Sequence, residues 1–230
     1  EYYSENRHWF GFAARARILI VNTELVANEF LPDSIFDLLD EKWKGKIGMA
    51  KPLFGTTASH AACLFEALGD ERARALFEGL KANGIQIVSG NKQVAQDVAS
   101  GRLAIGLTDT DDAMIEMENG HPVRIVYPDA SADQLGTLFI PNTLSLLREA
   151  PHPEAGEALI NFLLSGHVEQ HLAEGSSAQI PLSKSGAERM AGRLRVETPL
   201  TIQPMLVDFE ASAERWEQVA EFLKNEFLAR

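Results

Sequence analysis

Short aliphatic and β-branched runs alternate along the chain with stretches whose apolar positions recur at helical spacing. Arg17-Ile18-Leu19-Ile20-Val21 predicts a buried strand, and Ser34-Ile35-Phe36-Asp37 a capping box opening a short helix that ends before Lys44-Gly45. Lys46–Ala50 is the next strand. Ala61, Leu64, Phe65 and Leu68 then fall at i, i+3, i+4 and i+7, with Gly69 as the stop and a second helix from Glu71 to about Lys81. Ile85–Val88 predicts a strand, Asn91 a cap for the helix carrying Val94 and Val98, and Leu103–Leu107 a strand. Asp109–Asn119 follows as a helix and Val123–Tyr127 as a strand. This βαβα order predicts an α/β fold with a largely parallel sheet.

Beyond residue 134 the pattern changes. Gly136–Pro141 reads as one strand, and Pro153 opens a helix with Ala158, Leu159, Phe162 and Leu163 on its apolar side. The Ser- and Gly-rich stretch 175–192 reads as a surface excursion, and Ala213–Leu228 as a terminal amphipathic helix. The division that follows is an α/β lobe over 24–134, with 1–23 and 135–230 forming a second, strand-poor and incomplete part.

Composition narrows the function classes. With 21 Lys+Arg against 33 Asp+Glu, the formal charge is −12. That balance argues against nucleic acid or an anionic membrane as the main partner. The longest apolar runs fall short of the roughly 18 residues needed to span a bilayer. The chain starts at Glu1 without a signal-like segment, which predicts a processed or cut species. Cys63, a lone cysteine among Ala and Leu, reads as a small core side chain.

In an open α/β sheet, ligands bind beyond the carboxyl ends of the strands, where helices present free N–H groups. Three junctions carry polar residues there: Gly55-Thr56-Thr57-Ala58, Ser89-Gly90-Asn91, and Asp109 with Asp111 and Asp112. In one parallel sheet all three share a rim. Gly55, Thr56, Thr57 and Ala58 at a helix start suit an anion. Asp109, Asp111 and Asp112 suit a hard cation with oxygen ligands, or simple capping of the following helix. His60 reads either as a cleft residue or as a core histidine. Arg15 and Arg17 share one strand face, as a solvated edge or an anion clamp. His8 and His121 lack partners at metal spacing, and His152 and His167 sit by turn residues and read as surface. The chain has no GxGxxG, P-loop, GxSxG or HExxH motif.

Several stretches together resemble one family. The run Trp9–Asn22 is similar to the segment with which periplasmic ferric-ion-binding proteins cross between lobes. Pro32-Asp33-Ser34, Asp37-Leu38 and Lys42-Trp43-Lys44-Gly45-Lys46-Ile47 resemble a further family run. Ser89-Gly90-Asn91, Ser100-Gly101, Ile105-Gly106-Leu107, Ile140-Pro141-Asn142, Ala150-Pro151-His152-Pro153 and Ile160–Ser165 follow in the family's order. The likeness covers most of 9–182.

The resemblance implies a periplasmic or extracellular solute-binding protein of an ABC importer, not an enzyme, with a type II two-lobe fold. It implies a first lobe (1–23 and 135–230) lacking its N-terminal strands, and 24–134 as the second lobe. Gly55, Thr56, Thr57, Ala58, Asn91 and Arg15 match its anion-holding positions. Asp111 and Asp112, with Asp109 before them, stand where ferric-binding members carry adjacent tyrosines. The cargo implied is a metal ion, Fe(III) or another hard cation, with a synergistic anion, delivered to a membrane permease. Organic anions and polyamine- or thiamine-like ligands are alternatives, the latter with Trp9, Phe54 and Tyr127 as aromatic candidates. The competing classes are a bilobal sensor without transport and a carboxylate-metal hydrolase built on the three aspartates.

Overall fold

The computed structural model describes residues 2–229. Its sheet holds β1 (Phe10–Asn22), β2 (Ile47–Ala50), β3 (Gln86–Val88), β4 (Ile105–Asp109) and β5 (Val123–Val126), in the order β3-β2-β4-β1-β5. A sixth strand, β6 (Phe139–Leu144), pairs with β1. The helices are α1 (Gly55–Ala82), α2 (Asn91–Ala99), α3 (Thr110–Glu118), α4 (Pro153–Leu163), α5 (Gly166–Glu174), α6 (Lys184–Arg189), α7 (Phe209–Glu214) and α8 (Trp216–Phe222). The βαβ order predicted between residues 46 and 126 is present.

The sheet is mixed rather than largely parallel. β2 runs parallel to β3 and β4, but β1 is antiparallel to β4, β5 and β6. β1 precedes the βαβ units and enters between β4 and β5 from the opposite end. Its first half, to Ala16, pairs with β6; its second half, from Arg17, pairs with β4. One continuous strand therefore joins the two parts of the chain.

Strand alternation splits β1 between two cores. Leu19 and Val21 face one cluster with Met49, Leu64, Phe65 and Phe77, while Ile18 and Ile20 face the other with Val98, Met114 and Phe139. Arg15 and Arg17 fall on the same face as Leu19, the side on which α1 lies.

Local signals held where they were strong. Ser34 Oγ accepts from Phe36 N at 3.1 Å and the Asp37 carboxylate accepts from Ser34 N at 3.0 Å, so the capping box forms, although the helix it opens (Ile35–Leu39) is 3-10. Gly69 breaks α1 with φ 74°, a left-handed value that favours glycine, which explains the stop read there.

Other expectations shift. β4 begins at Ile105 and runs through Asp109, so Asp109 ends a strand and the helix predicted from Asp109 begins at Thr110. β6 starts at Phe139 rather than at Gly136. The stretch 175–192 is not a surface excursion: Ile180 is fully buried and bridges Ala14 through two 2.9 Å backbone hydrogen bonds, and α6 follows it. The terminal helix divides into α7, α8 and a π-helical turn at Leu223–Phe227. These C-terminal elements lie on α1, where Phe222 meets Phe65 at 5.5 Å and Phe77 at 6.3 Å between ring centroids. α4 has no buried residue; Leu159 and Phe162 on its apolar side are exposed. No helix among the described residues is long and apolar enough to cross a membrane.

Candidate functional site

The carboxyl ends of β2 and β4, the start of α2 and one face of β1 meet in a buried polar cluster. At its centre is Arg17, a fully buried guanidinium. Its Nη1 lies 2.6 Å from Asp109 Oδ1, itself 1% exposed. A charge removed from water this completely must be paired and hydrogen-bonded. Asp109 Oδ2 accepts from Thr56 Oγ1 at 2.5 Å and from Asn91 Nδ2 at 2.9 Å, so both oxygens are engaged. Asn91 Oδ1 in turn accepts from Thr57 Oγ1 at 3.0 Å and Arg17 Nη1 at 3.3 Å.

The three junctions thus share one rim, as the strand order predicted, but several side chains play other parts. Asn91 does not cap α2. Gly90 occupies the cap position and Asn91 is the first helical residue, with its side chain turned to Thr56, Thr57 and Asp109. Asp109 sits at the N-cap of α3 without making a side-chain cap bond, because Arg17 and Thr56 hold it. Gly55 opens α1 with φ +57°, so a backbone requirement accounts for the glycine. Ala58 N donates to Phe54 O at 3.3 Å, so the helix itself uses the Ala58 amide.

His60 is 3% exposed, and its Nδ1 accepts from Arg17 Nε at 3.4 Å. Burial, then the neighbouring Arg17 charge, holds its pKa well below the ordinary value. It is a neutral core histidine that fixes the guanidinium. The other candidates lie elsewhere. His8, His121, His152 and His167 are exposed, Cys63 is buried with its thiol pushed up to about 11, chiefly by burial, and Tyr127 Oη accepts from Glu197 N.

A second layer joins the cluster from the other part of the chain. Arg15 Nη1 is 3.2 Å from Asp111 Oδ2 and 3.9 Å from Asp109 Oδ2. Arg15 Nη2 donates to Asn142 Oδ1 at 3.1 Å, and Asn142 Nδ2 to Gln179 Oε1 at 2.7 Å. Gln179 Nε2 reaches back to Asp111 Oδ2 at 3.4 Å. Asn142 and Gln179 were not among the candidates read from sequence. Asn142 lies in the Ile-Pro-Asn run on β6, and Gln179 in a stretch that composition marks as surface.

Carboxylate oxygens of Asp109, Asp111 and Asp112 come within 4.8 Å of one another, the spacing a cation site needs. Two guanidinium groups already stand against them. Burial raises the Asp111 pKa, and burial followed by repulsion from Asp111 and Asp109 raises that of Asp112 to about 6. The folded chain therefore keeps a proton on Asp112 that the unfolded chain releases near pH 3.8. Between about pH 4 and 6 the folded state binds more protons, so this group lowers stability as pH rises through that window. Asp112→Asn is expected to flatten that slope, read as denaturant midpoint against pH for the two proteins; an unchanged slope would contradict this environment for Asp112.

Three buried polar atoms in this cluster have no partner among the described residues: Arg17 Nη2, Arg15 Nε and Asp111 Oδ1. Two are donors and one is an acceptor. Unpaired buried polar groups are rare enough that their convergence on one site is informative.

Comparison with known proteins bears on the family and the fold. The family model of bacterial extracellular solute-binding proteins matches residues 1–193. A periplasmic protein of Salmonella typhi named for 2-aminoethylphosphonate binding is 28% identical over 213 residues, 88% of this chain and 62% of that protein. Iron uptake protein A1 of Synechocystis is 29% identical over 196 residues, 78% of this chain and 53% of that one. The ferric binding protein from Campylobacter jejuni superposes with a TM-score of 0.81 at 18% identity, over 100% of this chain and 73% of that one. The chain spans between 53% and 62% of the length of these two sequence relatives. The structural likeness gives the fold, that of type II periplasmic binding proteins. With the family match extending over most of its length, the chain belongs to the bacterial extracellular solute-binding proteins.

Proposed function

We propose that this chain captures a small zwitterionic solute outside the cytoplasmic membrane and delivers it to the permease of an ABC importer. The solute carries a phosphonate or comparable anion at one end and an ammonium group at the other. The observation that carries this reading is the set of three unpartnered buried atoms. Arg17 Nη2 and Arg15 Nε are donors awaiting an anion, and Asp111 Oδ1 is an acceptor awaiting a cationic donor. A bare anion would answer the arginines but meet three carboxylates. A bare metal ion would answer Asp111 but leave both guanidinium donors unpaired. A molecule with both charges satisfies all three atoms, and 2-aminoethylphosphonate, for which the Salmonella relative is named, has that chemistry.

A second reading is a hard cation such as Fe(III) held with a synergistic anion. The 4.8 Å grouping of the three aspartates favours it. Against it, Asp109 spends both oxygens on Arg17, Thr56 and Asn91, and no tyrosine stands beside the carboxylates. In either reading the protein binds without turnover. His60 and Cys63, the groups closest in type to a base and a nucleophile, are buried and held neutral.

Thermal unfolding separates these readings. A ligand at 100 times its Kd adds about 2.7 kcal/mol, and in a chain of this size each kcal/mol moves Tm by roughly 2–4 °C. The expected result is a rise of about 5–10 °C with 2-aminoethylphosphonate and little change with ferric citrate. The reverse pattern would replace the zwitterion with a metal, and no shift with either would favour a sensor that has lost its ligand.

A further inference from the structure

Arg15, Asn142, Gln179 and Asp111 form a closed ring whose polarity has one direction. Arginine can only donate and an aspartate carboxylate can only accept, so the two amides between them have a single consistent orientation. Asn142 turns its oxygen to Arg15 Nη2 and its nitrogen to Gln179, and Gln179 turns its nitrogen to Asp111. The two side chains that reach Asp111, Arg15 through Nη1 and Gln179 through Nε2, approach the same oxygen, Oδ2, while the backbone N–H groups of Asp111 and Asp112 lie close to the carboxylate. The other, Oδ1, is buried and unpartnered.

An arginine beside a carboxylate ordinarily closes on it through two parallel N–H bonds, one to each oxygen. Here that closure does not occur, because the second guanidinium nitrogen, Nη2, donates to Asn142 Oδ1 at 3.1 Å instead. We infer that Asn142 is a specificity-determining residue: by engaging Arg15 Nη2 it keeps Arg15 from pairing with both oxygens of Asp111, and so reserves Asp111 Oδ1 for the cationic group of the ligand. Gln179, 8% exposed, adds a second donor to Oδ2 through its Nε2. The inference rests on the zwitterion reading and adds to it the residue that sets the preference for an amine. It also locates that preference across the two parts of the chain, since Asn142 lies on β6 and Asp111 at the start of α3.

The test compares 2-aminoethylphosphonate with ethylphosphonate, the same molecule without its amine. Binding of each is measured by calorimetry in wild type, Asn142→Leu and Asn142→Asp. In Asn142→Leu the freed Nη2 swings onto Asp111 Oδ1 and the ligand's ammonium loses its acceptor. The affinity ratio of the two phosphonates should fall about tenfold or more, the size of one hydrogen bond to a charged group. Asn142→Asp keeps an acceptor for Arg15 Nη2 but loses the donor to Gln179 Oε1, so its ratio should fall less than in Asn142→Leu. A purely structural role for Asn142 weakens both phosphonates alike, so an unchanged ratio in Asn142→Leu overturns the inference. An equal fall of the ratio in both variants overturns it too, because the acceptor would then not be what matters. Should Asn142→Leu fail to fold, Asn142→Ala, which also removes the acceptor for Arg15 Nη2, carries the same comparison with the same expected direction. Wild type that binds neither phosphonate overturns the zwitterion reading itself, and this inference with it, whereas wild type that prefers the amine beside a variant that does so equally overturns the inference alone.

Discussion

Replacing Arg17 by Met is expected to cost about 3–5 kcal/mol of stability, because it leaves the Asp109 carboxylate buried without its counter-charge. In a chain of this size that loss lowers Tm by roughly 6–20 °C. Arg17 is fully buried and Asp109 is 1% exposed, with 2.6 Å between Nη1 and Oδ1, so neither group can turn to water when the other is removed. The same substitution removes the donor Nη2, so ligand-induced stabilisation should disappear along with it. A second change separates the two effects. Asp109→Asn in the Arg17→Met background relieves the stranded charge and should recover much of the stability without recovering ligand binding. Denaturant unfolding of the single and double variants, with and without 2-aminoethylphosphonate, measures both. Equal stability of the single and double variants would show that the pair is not coupled as the geometry implies.

Phe222→Ala is expected to cost about 3–5 kcal/mol by cavity formation. Phe222 is 2% exposed and touches Phe65 and Phe77 of α1, with the Arg74 guanidinium 4.5 Å from its ring centroid. Arg215, just ahead of α8, adds a hydrogen bond to Phe65 O at 2.7 Å and an ion pair to Asp70. These contacts fasten the C-terminal helices to the helix whose first turn supplies Thr56 and Thr57. Phe162→Ala is the matched control, since Phe162 on α4 is 59% exposed and its loss should fall within about 0.5 kcal/mol. Chemical denaturation of the two variants decides the matter. Similar costs at the two positions would contradict the packing of α8 on α1.

The contrast between these phenylalanines shows what the sequence can and cannot disclose. Both lie at helical spacing on an apolar face, and spacing alone says that a face exists, not what covers it. The capping box at Ser34–Asp37 and the break at Gly69 were legible because both are settled within a few residues. The meeting of Thr56, Asn91 and Asp109 was legible as well, because consecutive βα units in one sheet place their strand ends on one side. The insertion of β1 between β4 and β5 was not. It depends on partners far away in sequence, as in the pairings of Arg17 with Asp109 and Leu19 with Val126, and leaves no local trace.

The site shows the same division. Arg15 and Arg17 were placed on one face by alternation, yet only the structure shows that one is sealed against Asp109 and His60 while the other bridges to Asp111. Asn142 was legible only as part of the Ile140-Pro141-Asn142 run, without a role, and Gln179 carried no signal beyond its residue type. Gln179 sits among Ser, Gly and Ala in a segment whose composition reads as exposed, and it becomes buried because Ile180 beside it bridges to Ala14. A lone amide becomes a site residue through its neighbours in space, which periodicity does not encode.

The cluster is expected to hold an anion on its arginines and an ammonium group on its aspartates. A crystal structure of the chain grown with 2-aminoethylphosphonate tests it most directly. Phosphonate oxygens are expected within hydrogen-bonding distance of Arg17 Nη2 and Arg15 Nε, and the amine against Asp111 Oδ1. A metal ion bound jointly by Asp109, Asp111 and Asp112, with Arg17 displaced from Asp109, would contradict it.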